Sequence, residues 1–431
     1  MVDLEKPREN RIDSLSMVRT PGLFWLEKRL LRMILRRLVK PVRVVLWNGE
    51  EISESVDPPS ARIKVRDEAT LWKLILNPEL QFGEAYSDGR IELEGDLVGL
   101  LDTIYRSKTQ TSESLYPRLV SRRWARGTVN TPRGSRRNIH RHYDIRTDFY
   151  KLWLDSQLIY TCGYFPSSNH SLEEAQFAKM DYVCRKVRLQ PGDRVVEAGC
   201  GWGALALHMA KHHGVSVKAF NISHEQILYA RQRAREEGLA DRVEFIEDDY
   251  RNISGRFNVF VSVGMLEHVG LPYYRELGDV IDRCLEASGR GFLHFIGRNR
   301  ELPLNAWIRK RIFPGAYPPT LRQVMDIFEP WGFSVLDVEN MRLHYAKTLE
   351  HWLARFEKSA GRICAMFNAD FVRAWRLYLA GSMVAFQTGW LHLFQIAFVR
   401  FDNNQIPWTR DYLYLGESDP KQESKWIHAI S

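Results

Sequence analysis

The sequence predicts an α/β chain with a doubly wound, mostly parallel sheet, preceded by a smaller α+β N-terminal domain. Three observations carry this. From about residue 171 helical and strand patterns alternate at the spacing of βαβ units. The first strand of that region ends in Val195-Val196-Glu197-Ala198-Gly199-Cys200-Gly201-Trp202-Gly203, an apolar run closing on an acid and three alternate glycines. The first hundred residues mix short strands and helices without such alternation, and 431 residues exceed one ordinary core.

In chain order, Leu23-Phe24-Trp25-Leu26 leads into Leu30, Leu31, Ile34, Leu38 and Val39 at helical spacing, with Lys28, Arg29, Arg32, Arg36, Arg37 and Lys40 on the remaining faces. This basic amphipathic helix either lies in the headgroup layer of an anionic membrane or buries its apolar side against its own domain or a second subunit. Val42 to Trp47 reads as a strand entering an Asn48-Gly49 hairpin turn, and Ala61 to Val65 alternates as its partner. Leu97 to Tyr105 closes the domain, 1–120, as a helix. The arginine-rich stretch with Gly127, Pro132 and Gly134 reads as a linker, 121–137, before the second domain, 138–431. There the expected elements are helices over 172–187, 204–212, 225–237 and 272–285, and strands over 194–197, 215–221, 243–247, 258–263 and 291–296. Leu377 to Val399 lacks formal charge, but Gly381, Ser382, Gln387, Thr388, Gly389, His392 and Gln395 interrupt it. A buried helix followed by a strand is expected there rather than a membrane span.

The glycine turn marks a Rossmann-like cofactor site, because glycine lets a ligand lie against bare main chain at a strand's carboxyl end. Its Gly-x-Gly-x-Gly spacing differs from the dinucleotide Gly-x-Gly-x-x-Gly pattern. With Glu197 before it, it favours S-adenosylmethionine over NAD. Glu197, Asn221, Asp249 and Glu267 fall at the carboxyl ends of expected strands, where the ligand should lie.

Several further segments occur in order: Asn138-Ile139-His140-Arg141-His142-Tyr143-Asp144, Tyr160-Thr161-Cys162-Gly163-Tyr164-Phe165, Ser223-His224-Glu225-Gln226, Asp249-Tyr250-Arg251, Ser262 to Gly270, and Leu293-His294-Phe295-Ile296-Gly297. Together with the glycine turn they resemble the cyclopropane-fatty-acyl-phospholipid synthases over roughly residues 40–400. The resemblance implies a class I methyltransferase domain. Its reaction would be methyl transfer from S-adenosylmethionine to the cis double bond of an unsaturated acyl chain in a membrane phospholipid, with bound bicarbonate as the base that lets the ring close.

Carried over by position, the resemblance puts Cys162, Glu267, His294, Tyr345 and the main chain of Ile296 around the bicarbonate. It puts Gly199 and Gly201 against the amino-acid part of the cofactor, Gln226 at the ribose, Tyr250 and Arg251 at the adenine, and Tyr160 and Thr161 over the methionine end. Tyr143 would face the sulfonium, Glu197, Asn221 and Ser223 belong to the same cofactor set, and His268 is a further pocket candidate. Phe386-Gln387-Thr388 departs from the arginine many relatives carry after the phenylalanine, so a methyl-branched or methylene product remains an alternative to the ring.

A net charge of +8 suits an anionic partner. An acidic lipid surface fits better than nucleic acid, since no nucleic-acid fold or aromatic-interleaved repeat accompanies the basic stretches. Five scattered cysteines show neither a disulfide framework nor metal-ligand spacing. With no secretory pattern at the N-terminus, the expected location is the cytoplasm, peripherally on the inner face of the membrane, and a homodimer is expected as an option. Two other functions compete. An amine N-methyltransferase would not need the N-terminal hundred residues or the basic helix, and a lipid-binding protein with vestigial machinery would not need Cys162, Glu267, His294 and Tyr345 intact.

Overall fold

The computed structural model describes residues 21–55, 57–110 and 146–414. The expected basic linker and Tyr143 lie outside these residues.

The N-terminal unit runs α1 (Pro21–Leu35), β1 (Val42–Val45), β2 (Glu51–Ile52), β3 (Ala61–Val65), α2 (Glu68–Leu76), α3 (Pro78–Ser87), β4 (Ile91–Gly95) and α4 (Leu97–Gln110). Its four strands are ordered β2-β1-β3-β4. The Asn48-Gly49 turn, with Gly49 at φ +83°, pairs β1 antiparallel to the short β2. The expected partner Ala61–Val65 does pair with β1, but parallel, since the chain crosses back between them before β3 begins. Leu31 and Leu35 of α1 are buried in this unit's own core with Val42, Val44, Leu46 and Leu100. The helix thus packs one edge on its own sheet, while Trp25, Leu26, Met33 and Ile34 stay exposed.

The second unit contains α5 (Leu172–Lys186), β5 (Arg194–Ala198), α6 (Ala204–His213), β6 (Ser216–Asn221), α7 (His224–Glu236), β7 (Val243–Glu247), β8 (Phe257–Val263), α8 (Leu266–Val269), α9 (Tyr274–Cys284), β9 (Leu285–Gly297), α10 (Ala306–Arg311), β10 (Phe333–Asn340), α11 (Arg342–Met366), α12 (Ala369–Gln387) and β11 (His392–Arg400). The seven strands are ordered β10-β11-β9-β8-β5-β6-β7. Strands β5 to β9 pair parallel, and β11 runs antiparallel between β9 and β10. The uncharged stretch 377–399 is a buried helix end followed by a buried strand, as its polar interruptions predicted. Among the described residues no helix is long and apolar enough to cross a membrane.

Two features hold α5 in place. Ser171 and Glu174 form a reciprocal capping box at its start, worth about 1 kcal/mol. At its end the fully buried Lys186 ammonium lies 2.8 Å from Asp337 and 2.7 Å from Glu339 on β10. The N-terminal unit docks on the second through helix α3. A Cβ on Gly83 would come within 2.3 Å of the Trp307 ring of α10, so only glycine allows this approach.

Candidate active site

The glycine turn is built by backbone. The amides of Gly199 and Cys200 donate to the Phe220 carbonyl at 2.9 and 3.1 Å, fastening the end of β5 to the end of β6. Gly199, Gly201 and Gly203 all sit at positive φ, +87°, +53° and +85°. Their roles differ. A Cβ on Gly203 would lie 2.6 Å from the Phe245 ring and 2.9 Å from Ala230, so this glycine serves packing, whereas a Cβ on Gly201 would meet nothing within 4 Å.

Gly199 and Gly201 line a cavity at the carboxyl ends of β5, β6, β7 and β8. Of the expected cofactor residues, Tyr160, Thr161, Glu197, Asn221, Gln226 and Tyr250 line it too. Asn221 donates to the Gln226 side-chain oxygen at 2.7 Å and so orients it. Two expected residues stand back from the cavity. Ser223 is fully buried at the N-cap of α7. The Arg251 guanidinium is turned to Asp249 at 2.9 Å and Glu276 at 3.1 Å, and stacks over the Tyr250 ring at 4.8 Å, so it backs the adenine candidate instead of facing the cavity.

Lys179 is a cavity residue that sequence reasoning missed. It is buried on α5, and its ammonium donates to the Thr161 hydroxyl at 3.0 Å while Gln176 donates to the Thr161 carbonyl at 2.8 Å. Burial pushes Lys179 down to about 8, against the opposing charges of Asp155, Cys162 and Glu197. Burial likewise pushes Glu197 up to about 7, with Lys179 opposing, and holds His268 down to about 4. The segment before Thr161 is set by Asp155, whose carboxylate accepts the amides of Gln157 and Ile159 at 2.9 and 2.8 Å around Leu158 at φ +58°.

Beyond Thr161 lies a second group of side chains. The Cys162 thiol is fully buried, pushed up by desolvation, and donates to the Gly163 carbonyl at 3.1 Å. The Gly163 amide donates to the Thr348 hydroxyl at 3.0 Å. Tyr345, one turn earlier on α11 and on the same face, joins the hydrophobic cluster that contains Cys162, Trp352 and Phe386. Glu267 accepts the Ile296 amide at 2.5 Å, and burial pushes it up to about 7 against that bond. Ile296 and His294 are two residues apart on β9, and Glu267 reaches this strand through the Ile296 amide. From β11, whose register places Gln395 opposite His294, the Gln395 amide nitrogen lies 3.2 Å from His294 Nδ1. An amide donor at Nδ1 fixes the tautomer with the proton on Nε2. His294 Nε2 and Glu267 Oε2 are both buried without a hydrogen-bond partner among the described residues.

A family profile described as mycolic acid cyclopropane synthetase matches residues 130–396, more than half the chain. The chain belongs to this family. A domain family of unknown function matches residues 30–114, the N-terminal unit. The chain is 35% identical over 396 residues, 88% of its own length and 98% of the relative's, to a probable fatty acid methyltransferase of Pseudomonas putida. It is 38% identical over 266 residues, 62% of itself and 68% of the relative, to the cyclopropane-fatty-acyl-phospholipid synthase of Escherichia coli K12. Among solved structures, mycolic acid cyclopropane synthase CmaA1 complexed with SAH and CTAB matches with a TM-score of 0.58 and 29% identity, covering 61% of this chain and 97% of that one. The chain is therefore an S-adenosylmethionine-dependent methyltransferase of the cyclopropane synthase family, with the class I fold and a lipid acyl chain as its kind of substrate.

Proposed function

We propose that the enzyme converts the cis double bond of an unsaturated acyl chain, esterified in a membrane phospholipid, into a cyclopropane ring. One observation carries this reading: His294 Nε2 and Glu267 Oε2 are buried polar atoms without hydrogen-bond partners among the described residues, one on β9 and the other on a carboxylate bonded to the β9 main chain two residues on. Such a donor and acceptor suit a small oxyanion with a hydroxyl, which is the chemistry of bicarbonate. S-adenosylmethionine supplies an electrophilic methyl group, and bicarbonate supplies a base for the proton that must leave that methyl when the ring closes.

The residues of the chain supply the rest. The His294 Nε2–H would donate to the oxyanion, and the ionised Glu267 carboxylate, anchored by the Ile296 amide, would accept its hydroxyl proton and orient it. The Tyr345 hydroxyl is a second donor from α11. An alkene is a weak nucleophile, so the π bond must be aligned and water kept from positive charge that develops on the acyl chain. Tyr160, which lines the cavity, is backed by Tyr150, Trp153 and Trp352 with ring centroids 5.5, 5.4 and 5.3 Å away, an apolar surround that would keep water out while the Tyr160 ring faces a cation. Lys179 and Gln176 hold Thr161 so that the Tyr160–Cys162 segment spans the two groups of residues.

We further infer peripheral work at an anionic membrane on its cytoplasmic face. Exposed Trp25, Leu26, Met33 and Ile34 of α1, with Arg29 5.2 Å from the Trp25 ring, support this reading. Incubation with S-adenosylmethionine and vesicles of cis-monounsaturated phospholipid, followed by mass spectrometry after derivatising double bonds, tests the reaction. The expected product is one CH2 heavier with no double bond to derivatise. The same mass gain with a surviving, displaced double bond assigns a methyl-branched or methylene product instead, and no mass gain overturns the reading.

A further inference from the structure

Away from the cavity, helices α5 and α6 bring together residues that the sequence keeps apart on either side of β5. Cys184 of α5 and His208 and His213 of α6 have ligand atoms that all lie within 4.8 Å of one another. We propose that these three residues bind a zinc-class divalent cation. The donor set is one thiolate and two imidazoles, with a fourth position left for water, a set zinc takes readily. Ligand atoms around a tetrahedral zinc sit about 3.2–3.8 Å apart, as bond lengths of about 2.0–2.3 Å require. Side-chain rotation of about 1 Å closes the observed cluster onto an ion.

Two independent features point the same way. Asp181, one turn before Cys184 on α5, lies 2.8 Å from His208 Nε2. A carboxylate there fixes the proton on Nε2 and leaves the Nδ1 lone pair for the metal, the carboxylate–histidine–metal arrangement that orients ligating histidines. The site also sits at the C-terminal end of α6, whose last turn carries His212 and His213 and whose dipole favours positive charge. Cys184 is 1% and His208 5% exposed, so an ion there is largely desolvated. Its double charge is balanced by one thiolate and the Asp181 carboxylate, which makes burial tolerable. On binding, the Cys184 S–H proton leaves to solvent, an S–metal bond forms, and no oxidant or reductant is needed. The ion would clamp α5, which carries Lys179 and Gln176, to α6, which follows the glycine turn.

The test uses the full-length, tag-free enzyme, stripped with a chelator and titrated with Co²⁺, whose thiolate charge-transfer and tetrahedral d–d bands report the ligands. The expected result is one Co²⁺ per chain with both bands, displaced by Zn²⁺, and a Zn²⁺-dependent rise in thermal midpoint. Cys184→Ala should lose the charge-transfer band, His213→Ala, at a half-buried position, should weaken binding at least tenfold with the apo fold retained, and Asp181→Asn should weaken it about 10–100-fold. No binding, binding without the thiolate band, or a band that survives Cys184→Ala overturns the proposal.

Discussion

The two ends of the active site are built by different means. The cofactor end is made of short contiguous stretches, 197–203, 221–226 and 248–250, at the carboxyl ends of neighbouring parallel strands, and its key surface is bare backbone at positive φ. The proposed transfer end would gather Cys162, Glu267, His294, Thr348 and Tyr345 from a loop, a short helix, a strand and a long helix, and its key features are buried polar atoms. The first end would recognise its ligand by leaving side chains out. The second would work by placing side chains where burial sets their protonation. Lys179 joins them through Thr161, the residue between a cavity tyrosine and the buried cysteine.

The largest effect should come from separating the ends by mutation. Glu267→Gln or His294→Ala is expected to lower product formation by about 10²–10⁴-fold while S-adenosylmethionine affinity, read by calorimetric titration, changes by only a few-fold. Loss of affinity in both variants would merge the ends into one site. Lys179→Met should sharpen the link between them. Losing a charged hydrogen bond worth about 1.5–3 kcal/mol predicts a fall of about 10–100-fold in kcat/KM, shared between KM for the cofactor and kcat. A change confined to KM would assign Lys179 to the cofactor end alone.

Within the cofactor end, two glycines should behave oppositely. Gly203→Ala drives a methyl into Phe245 and Ala230 and should cost about 2–4 kcal/mol in urea unfolding. Gly201→Ala meets no neighbour, should cost about 1 kcal/mol, and should instead weaken the cofactor. Equal stability losses would break the distinction between a packing and a ligand-facing glycine.

The smallest effect is a pH slope. Glu267 has a folded value of about 7 against an ordinary 4.5, so folding takes up a proton between those values, and its contribution to stability falls as pH rises through that window and levels above it. In the cofactor-free protein, Glu267→Gln should remove about one proton from that linkage, measured as a flatter dependence of the thermal midpoint on pH. An unchanged slope would show that Glu197, also raised to about 7, carries it alone. If the ionised form orients the base as proposed, wild-type turnover should rise with pH through about 7.

Much of this was legible from the chain. Strand and helix periodicity and the glycine turn predicted the parallel sheet, since those signals are local and a βαβ unit allows few arrangements. They also pointed to the turn where the structure places a cavity, because a strand, its turn and the next helix are contiguous. The resemblance to a family named candidate transfer residues, but the sequence held no signal for what supports them. Asp155, Gln176, Lys179, Thr348 and Gln395 lie on stretches whose pattern reads as ordinary helix, turn or strand. A polar residue on such a stretch looks the same whether it points to solvent or into a site. The basic helix shows the same limit from the other side: its spacing predicted amphipathicity and left open a membrane or its own domain as the apolar partner, and the structure buries Leu31 and Leu35 at home while Trp25 and Ile34 face out.

By itself the sequence determined the α/β class, the position of the glycine turn and the stretch where an uncharged run becomes helix and strand, because backbone preferences and hydrophobic period act over a few residues. Only the tertiary structure decided that β3 pairs parallel to β1, that Arg251 turns from the cavity to Asp249 and Glu276, and that Cys184 meets His208 and His213. Those depend on which distant segments share a buried space, where desolvation and hydrogen-bond partners are set by packing and not by neighbours in the chain.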